Sequence, residues 1–205
     1  MPPGLIFAFL CLVFTGVNDV LFKRYADGDL SRGLYVAGIG GVWLLLQLGW
    51  GTCGVVTANL SSTAISLGLT AGILLTVSNL LLLESLSRVD VSLGSTIYRL
   101  NTVAVVLLAF FFLEEPLGFY KISGVLTGIG AVLLLYRQNR EKNRQDERHR
   151  SKTSLFFFLL AILASLCRAG YGIVSKAALS AGASLQVLVL LSAICWIAGG
   201  FVYAL

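Results

Sequence analysis

The stretch Ala64-Ile-Ser-Leu-Gly-Leu-Thr-Ala-Gly-Ile-Leu-Leu-Thr-Val-Ser-Asn-Leu-Leu-Leu-Leu83 runs for twenty residues without a charge. A hydrocarbon core about 30 Å thick is crossed by roughly 20 helical residues. Backbone groups in lipid must pair within their own segment, so such a stretch reads as a membrane-spanning helix. Outward from it lie six more apolar runs of comparable length, at 4–22, 33–50, 91–113, 119–136, 155–175 and 185–205. The pattern predicts an all-α fold, a polytopic membrane helical bundle of seven helices. Transmembrane β-strands are shorter and alternate apolar with polar, which these continuous runs do not.

The composition agrees. Hydrophobic residues make up 57% of the 205 and charged residues 12%, against about 25% charged in a typical soluble domain. The net charge of +5 is no nucleic-acid signal, because seven of the fifteen Lys/Arg fall within 137–152, interleaved with Glu141, Asp146 and Glu147. That segment reads as a solvated basic linker. The loops after the first, third and fifth helices hold eleven Lys/Arg, and those after the second, fourth and sixth hold only Lys121 and Lys176. The positive-inside rule then puts the N-terminus outside and the linker in the cytoplasm.

Several chemistries have no footing. Cys11, Cys53, Cys167 and Cys195 have no metal or disulfide spacing and read as small apolar packers. No P-loop is present, the single His149 sits in the linker, and no catalytic or metal cluster stands out. The expectation is a non-enzyme with no cofactor and no nucleic-acid partner. Met-Pro-Pro-Gly lacks the basic start of a cleaved signal peptide, so the first run reads as a retained helix.

A shift of 153 positions lays helix 6 on helix 1 and helix 7 on helix 2, aligning Lys23 with Lys176, Ser31 with Ser184 and Trp43 with Trp196. Six of 49 positions coincide, which makes duplication an expectation carried by the rarer Lys and Trp. An odd number of helices per copy inverts the second, the arrangement from which many secondary transporters build paired gates around one midplane site.

Helix 4 and its exit, Val91-Ser-Leu-Gly-Ser-Thr-Ile-Tyr-Arg-Leu-Asn-Thr-Val-Ala-Val-Val-Leu-Leu-Ala-Phe-Phe-Phe-Leu-Glu-Glu-Pro116, precede a helix carrying Lys121, Gly124, Gly128 and Gly130. This resembles the end of an EamA-type repeat of the drug/metabolite transporter (DMT) superfamily. Gly16-Val-Asn-Asp-Val-Leu-Phe-Lys23 is similar to that family's first helix. The resemblance implies a first five-helix EamA-like repeat over 1–136, the basic linker at 137–153, and at 154–205 the opening two helices of a second, inverted repeat. It implies that three further helices are missing, and that the linker lies outside, the reverse of the charge count.

Ionisable groups within the bilayer are functional candidates by default. Here they are Asp19, Arg99 and Arg168. Asp19 lies about 6 Å inside the linker-side face and Arg99 about 12 Å, at 1.5 Å per residue. Asn18, Asp19, Asn79, Tyr98, Arg99 and Asn101 therefore share one half of the membrane, and they form the candidate substrate-binding set, with Asp19 and Arg99 paired across one polar cavity. Arg168 falls in the other half. Lys23, Glu84, Glu114, Arg168 and Lys176 are the gating or helix-end candidates. Small residues at Gly33, Ala37 and Gly41, and at Gly124 and Gly128, are spaced for close helix packing, within the chain or in a homodimer.

The leading reading is a cell-membrane, multi-pass transporter that moves a small metabolite or drug by alternating access. Its partners are the lipid bilayer and a small-molecule solute, polar or zwitterionic. The alternatives are a seven-helix membrane receptor and a non-functional fragment of a ten-helix transporter.

Overall fold

The computed structural model describes residues 3–26, 31–50, 61–87, 97–98, 100–114, 116, 118–143 and 151–205. Among these residues the bundle consists of α1 (Pro3–Ala26), α2 (Arg32–Trp50), α3 (Ser62–Leu86), α4 (Asn101–Leu113), α5 (Phe119–Asn143), α6 (Ser151–Ser180) and α7 (Leu185–Ala204), with no strand. The helical membrane bundle read from the sequence is therefore the observed fold. Within the described residues, α1, α3, α6 and α7 are each long and apolar enough to cross a bilayer. The 19 residues of α2 and 25 of α5 also reach that length.

Helix ends follow local chemistry. The side chain of Ser61 caps α3 by accepting from the Ala64 amide at 3.1 Å, and Ser184 caps α7 by accepting from Val187 at 3.3 Å. These satisfy amides that have no partner inside the helix. The end of α4 turns through Glu114, left-handed at φ 52°, whose amide bonds back to Ala109 before Pro116. The α6–α7 turn uses Gly182 at φ 87°.

Three boundaries differ from the sequence expectation. α5 continues to Asn143 and α6 starts at Ser151, so the flanks of the 137–153 linker are helical. Arg, Gln, Lys and Glu are good helix formers even where they cannot enter lipid. α3 continues to Leu86, which places Glu84 in its last turn rather than in a loop. The expected start of α4 at Val91 lies outside the described residues, as do 92–96 and 99; Ile97 and Tyr98 are helical, and α4 itself runs from Asn101.

α3 is the central helix. It packs along α6 and α7, α2 packs along α7, and α4 along α6; α1 touches α2 and α3 lightly, and α5 touches α4. α3, like α1 and α7, runs toward the linker-side face, whereas α2, α4 and α6 run away from it. The core combines Val36, Leu82, Leu83, Leu86 and Ile97 with alanines such as Ala71, Ala161, Ala164 and Ala169. Small residues let the backbones approach, which is how membrane helices gain dispersion energy without a hydrophobic driving force.

The small-residue stripe of α2 is used in this way. A Cβ on Gly33 would lie 2.7 Å from the Ala204 nitrogen, and one on Gly40 would lie 3.0 Å from the Ala193 carbonyl oxygen. Gly41, the third member of the expected stripe, has nothing within 4 Å. In α5, Gly128 meets only Val103 at 3.7 Å, and Gly124 has no neighbour within 4 Å. There the glycines floor an apolar groove of about 490 Å³ between α4 and α5, lined by Leu100, Val103, Val106 and Ala131.

Candidate functional site

In lipid every unsatisfied polar group is expensive, so the buried polar side chains locate the site. Asp19 and Asn79 are each 7% exposed, and Ser78 is fully buried. Asp19 sits one turn before Lys23 on α1, whose Nζ donates to the Leu86 carbonyl at 2.6 Å. That bond fixes the register of α1 on α3 and sets Asp19 and Asn79 in the same linker-side half of the bundle. Ser78 Oγ donates to the Ala164 carbonyl of α6 at 2.7 Å and lies 3.3 Å from the Tyr98 hydroxyl. Two helical turns along, Ser85 Oγ donates to the Phe157 carbonyl at 2.8 Å.

The expected set is brought together only in part. Asp19, Asn79 and half-buried Tyr98 face the interior, but Asn18 is exposed. Consecutive helical residues point about 100° apart, so a helix that turns Asp19 inward turns Asn18 out, and Asn18 leaves the site. Asn101 is half-buried and accepts locally from Thr102 Oγ1 at 3.3 Å. Arg99 lies outside the described residues, as do Glu115 and Cys53. Arg168 stacks its guanidinium 5.2 Å from the Tyr171 ring centre on its own helix, a cation–π arrangement. Lys176 and Glu114 are exposed near the opposite face. Cys11 is exposed on α1, whereas Cys167 and Cys195 are partly covered, so the packing role read for the cysteines does not extend to Cys11.

A second polar cluster closes the linker-side end. Glu84 Oε2 pairs with Arg32 Nη1 and accepts from the Tyr203 hydroxyl at 2.8 Å. Arg32 Nη2 also donates to the Ala26 carbonyl at 3.3 Å. Three helices, α2, α3 and α7, thus meet at one carboxylate oxygen. Of these residues only Glu84 stands out in the sequence. Arg32 reads there as a topological charge and Tyr203 as one more aromatic.

The first five helices thus carry a buried acid and a buried amide, Asp19 on α1 and Asn79 on the central helix α3. The model of the EamA-like transporter family matches residues 2–137, from α1 into α5. The chain belongs to the EamA-like transporter family. An EamA-like chain is a multi-pass membrane protein of the drug/metabolite transporter type, which are transporters and not enzymes. Comparison with curated proteins and with solved structures returns no match.

Proposed function

We propose that this chain carries a small polar solute across the cell membrane by alternating access, with Asp19 and Asn79 on its path. The observation that carries the reading is their burial, 7% exposed each: the other buried polar residues among those described are Ser and Thr hydroxyls, and Asp19 is the one buried residue of the described set with an ionisable side chain. Ionisable groups at membrane depth that face the bundle interior mark solute paths as a rule. A carboxylate suits a cationic or zwitterionic solute.

Alternating access by inverted repeats is supported by the way α2 and α7 cross. The offset that aligns Lys23 with Lys176 sends position 33 to 186 and position 47 to 200 (186 − 33 = 200 − 47 = 153). Gly33 abuts Gly200, and Gln47 Nε2 donates to the Gln186 carbonyl at 3.4 Å, so each contact is the image of the other. Gly40 abuts Ala193, its own counterpart, as a two-fold axis through the seam requires. Ser31 lies 3.5 Å from the Leu34 amide as its counterpart Ser184 lies 3.3 Å from that of Val187.

The test is uptake of a cationic dye and of radiolabelled amino acids into proteoliposomes. A solute accumulated by the parent chain is expected to be lost, by about tenfold or more, in Asp19→Ala and Asn79→Ala variants that insert normally. Unchanged uptake in both removes the site.

A further inference from the structure

We propose that Arg32, Glu84 and Tyr203 form the linker-side gate of this bundle, holding α2, α3 and α7 closed over a seam that runs down to Trp196; the inference rests on the transport reading above.

Three features separate this cluster from a fixed strut. First, both donors converge on one oxygen, Glu84 Oε2, so loss of that single acceptor frees α2 and α7 from α3 at once. The Arg32 and Glu84 side chains are 27% and 31% exposed. Water can replace such partners, and ion pairs exposed to this degree are easily broken.

Second, two of the helices that the cluster ties together meet beside it through nearly bare backbone. α2 meets α7 at Gly33 and Gly200, while farther along Gly40 takes the Cβ of Trp196 and, between α3 and α7, Gly68, Gly72 and Gly199 take the side chains of Leu191, Cys195 and Thr76. Beside the gate, at Gly33 and Gly200, the crossing presents only backbone and the Ala37 methyl, so it parts there without unthreading long side chains.

Third, the seam has a polar floor. Below the gate come the apolar residues Val36 and Leu83, and against them packs Trp196, about 10 Å deeper than Tyr203 at 1.5 Å per residue. Among the described residues the buried Trp196 Nε1 donor has no partner, and Thr76 and Ser192 are buried on the α3–α7 seam. An unpaired buried donor is a cost without return in a permanently sealed bundle. It gains a partner when the seam opens to water or solute.

Cys195, adjacent to Trp196 and packed on Gly72, reports the opening. The full chain is reconstituted in nanodiscs with Cys11, Cys53 and Cys167 changed to Ser, and Cys195 is alkylated with a charged maleimide in the absence of any solute. Glu84→Gln and Tyr203→Phe are each expected to raise the alkylation rate by about tenfold, the change that corresponds to about 1.4 kcal/mol in the closed–open equilibrium. The exchanged pair Arg32→Glu with Glu84→Arg is expected to restore slow labelling. Rates within twofold of the parent in both single variants overturn the gate, as does an exchanged pair that labels as fast as Glu84→Gln. Because the readout needs no solute, a chain that shows the rate shift but carries nothing disproves the transport reading alone. A chain that carries solute without the shift disproves the gate alone.

Discussion

Gly33 and Gly200 touch backbone to backbone where α2 crosses α7: a Cβ on Gly200 would lie 2.6 Å from the Gly33 carbonyl oxygen and 2.6 Å from the Ala37 nitrogen. Backbone cannot give way as the end of a side chain can. Gly200→Val is therefore expected to destabilise the bundle by about 1–3 kcal/mol, the usual range for overpacking. Gly38→Ala, with nothing within 4 Å, is expected to be neutral or to gain up to ~1 kcal/mol from helix propensity. Reversible unfolding in mixed micelles measures both.

Two serines of the bundle interior should respond in opposite directions to the same substitution. Ser78→Ala removes the bond to the Ala164 carbonyl and is expected to cost about 0.6–1.7 kcal/mol, the range for interhelical bonds in membranes. Ser175 Oγ is buried with no partner among the described residues, so Ser175→Ala removes an unmet hydroxyl and is expected to raise stability by roughly 1 kcal/mol. The same unfolding titration decides between them, and a loss at Ser175 equal to that at Ser78 would refute the distinction.

Glu114 occupies a left-handed conformation at the end of α4, where a side chain costs about 1 kcal/mol relative to glycine. Glu114→Gly should raise the unfolding midpoint, and Glu114→Val, β-branched at the same φ, should lower it.

The phase of α1 is open to a functional check. Asn18 faces out and Asp19 in. Asn18→Leu should leave uptake within about twofold, as substitutions away from packed or paired sites usually do, whereas Asp19→Asn should reduce it severely. Equal losses at both positions would mean that α1 is rotated from the orientation described.

Length and hydropathy made the helices legible, because lipid permits few alternatives for twenty apolar residues in a row. The small-residue stripe at Gly33 and Ala37 was legible for the same reason: lipid-embedded packing favours it wherever backbones cross. Rotation about each helix axis was not. α1 is apolar on nearly every side, from Leu5 through Leu21, so it carries no stripe to say which of Asn18 and Asp19 turns inward. The stripe in α5 shows the converse limit, since Gly124 has the right spacing and no neighbour. The Arg32–Glu84–Tyr203 cluster joins residues 52 and 119 positions apart. No periodicity links such distant residues; only the folded crossing of three helices does. Ser78 and Ser85 left a faint trace, a seven-residue interval on one face of α3. Serine in an apolar helix can equally bond its own preceding turn, and that ambiguity hid them.

The extension of α5 to Asn143 has a mechanical meaning. From Tyr136 onward about two turns of helix project beyond the apolar run, roughly 10 Å at 1.5 Å per residue, and α6 resumes its own helix at Ser151. The projecting part of α5 is a stiff stalk rather than a coil. Residues 137–143 thereby keep a set height and angular spacing beyond the apolar run, about 1.5 Å and about 100° per residue, so the cationic positions 137, 140 and 142 are presented as a rigid set whose spacing the helix itself dictates.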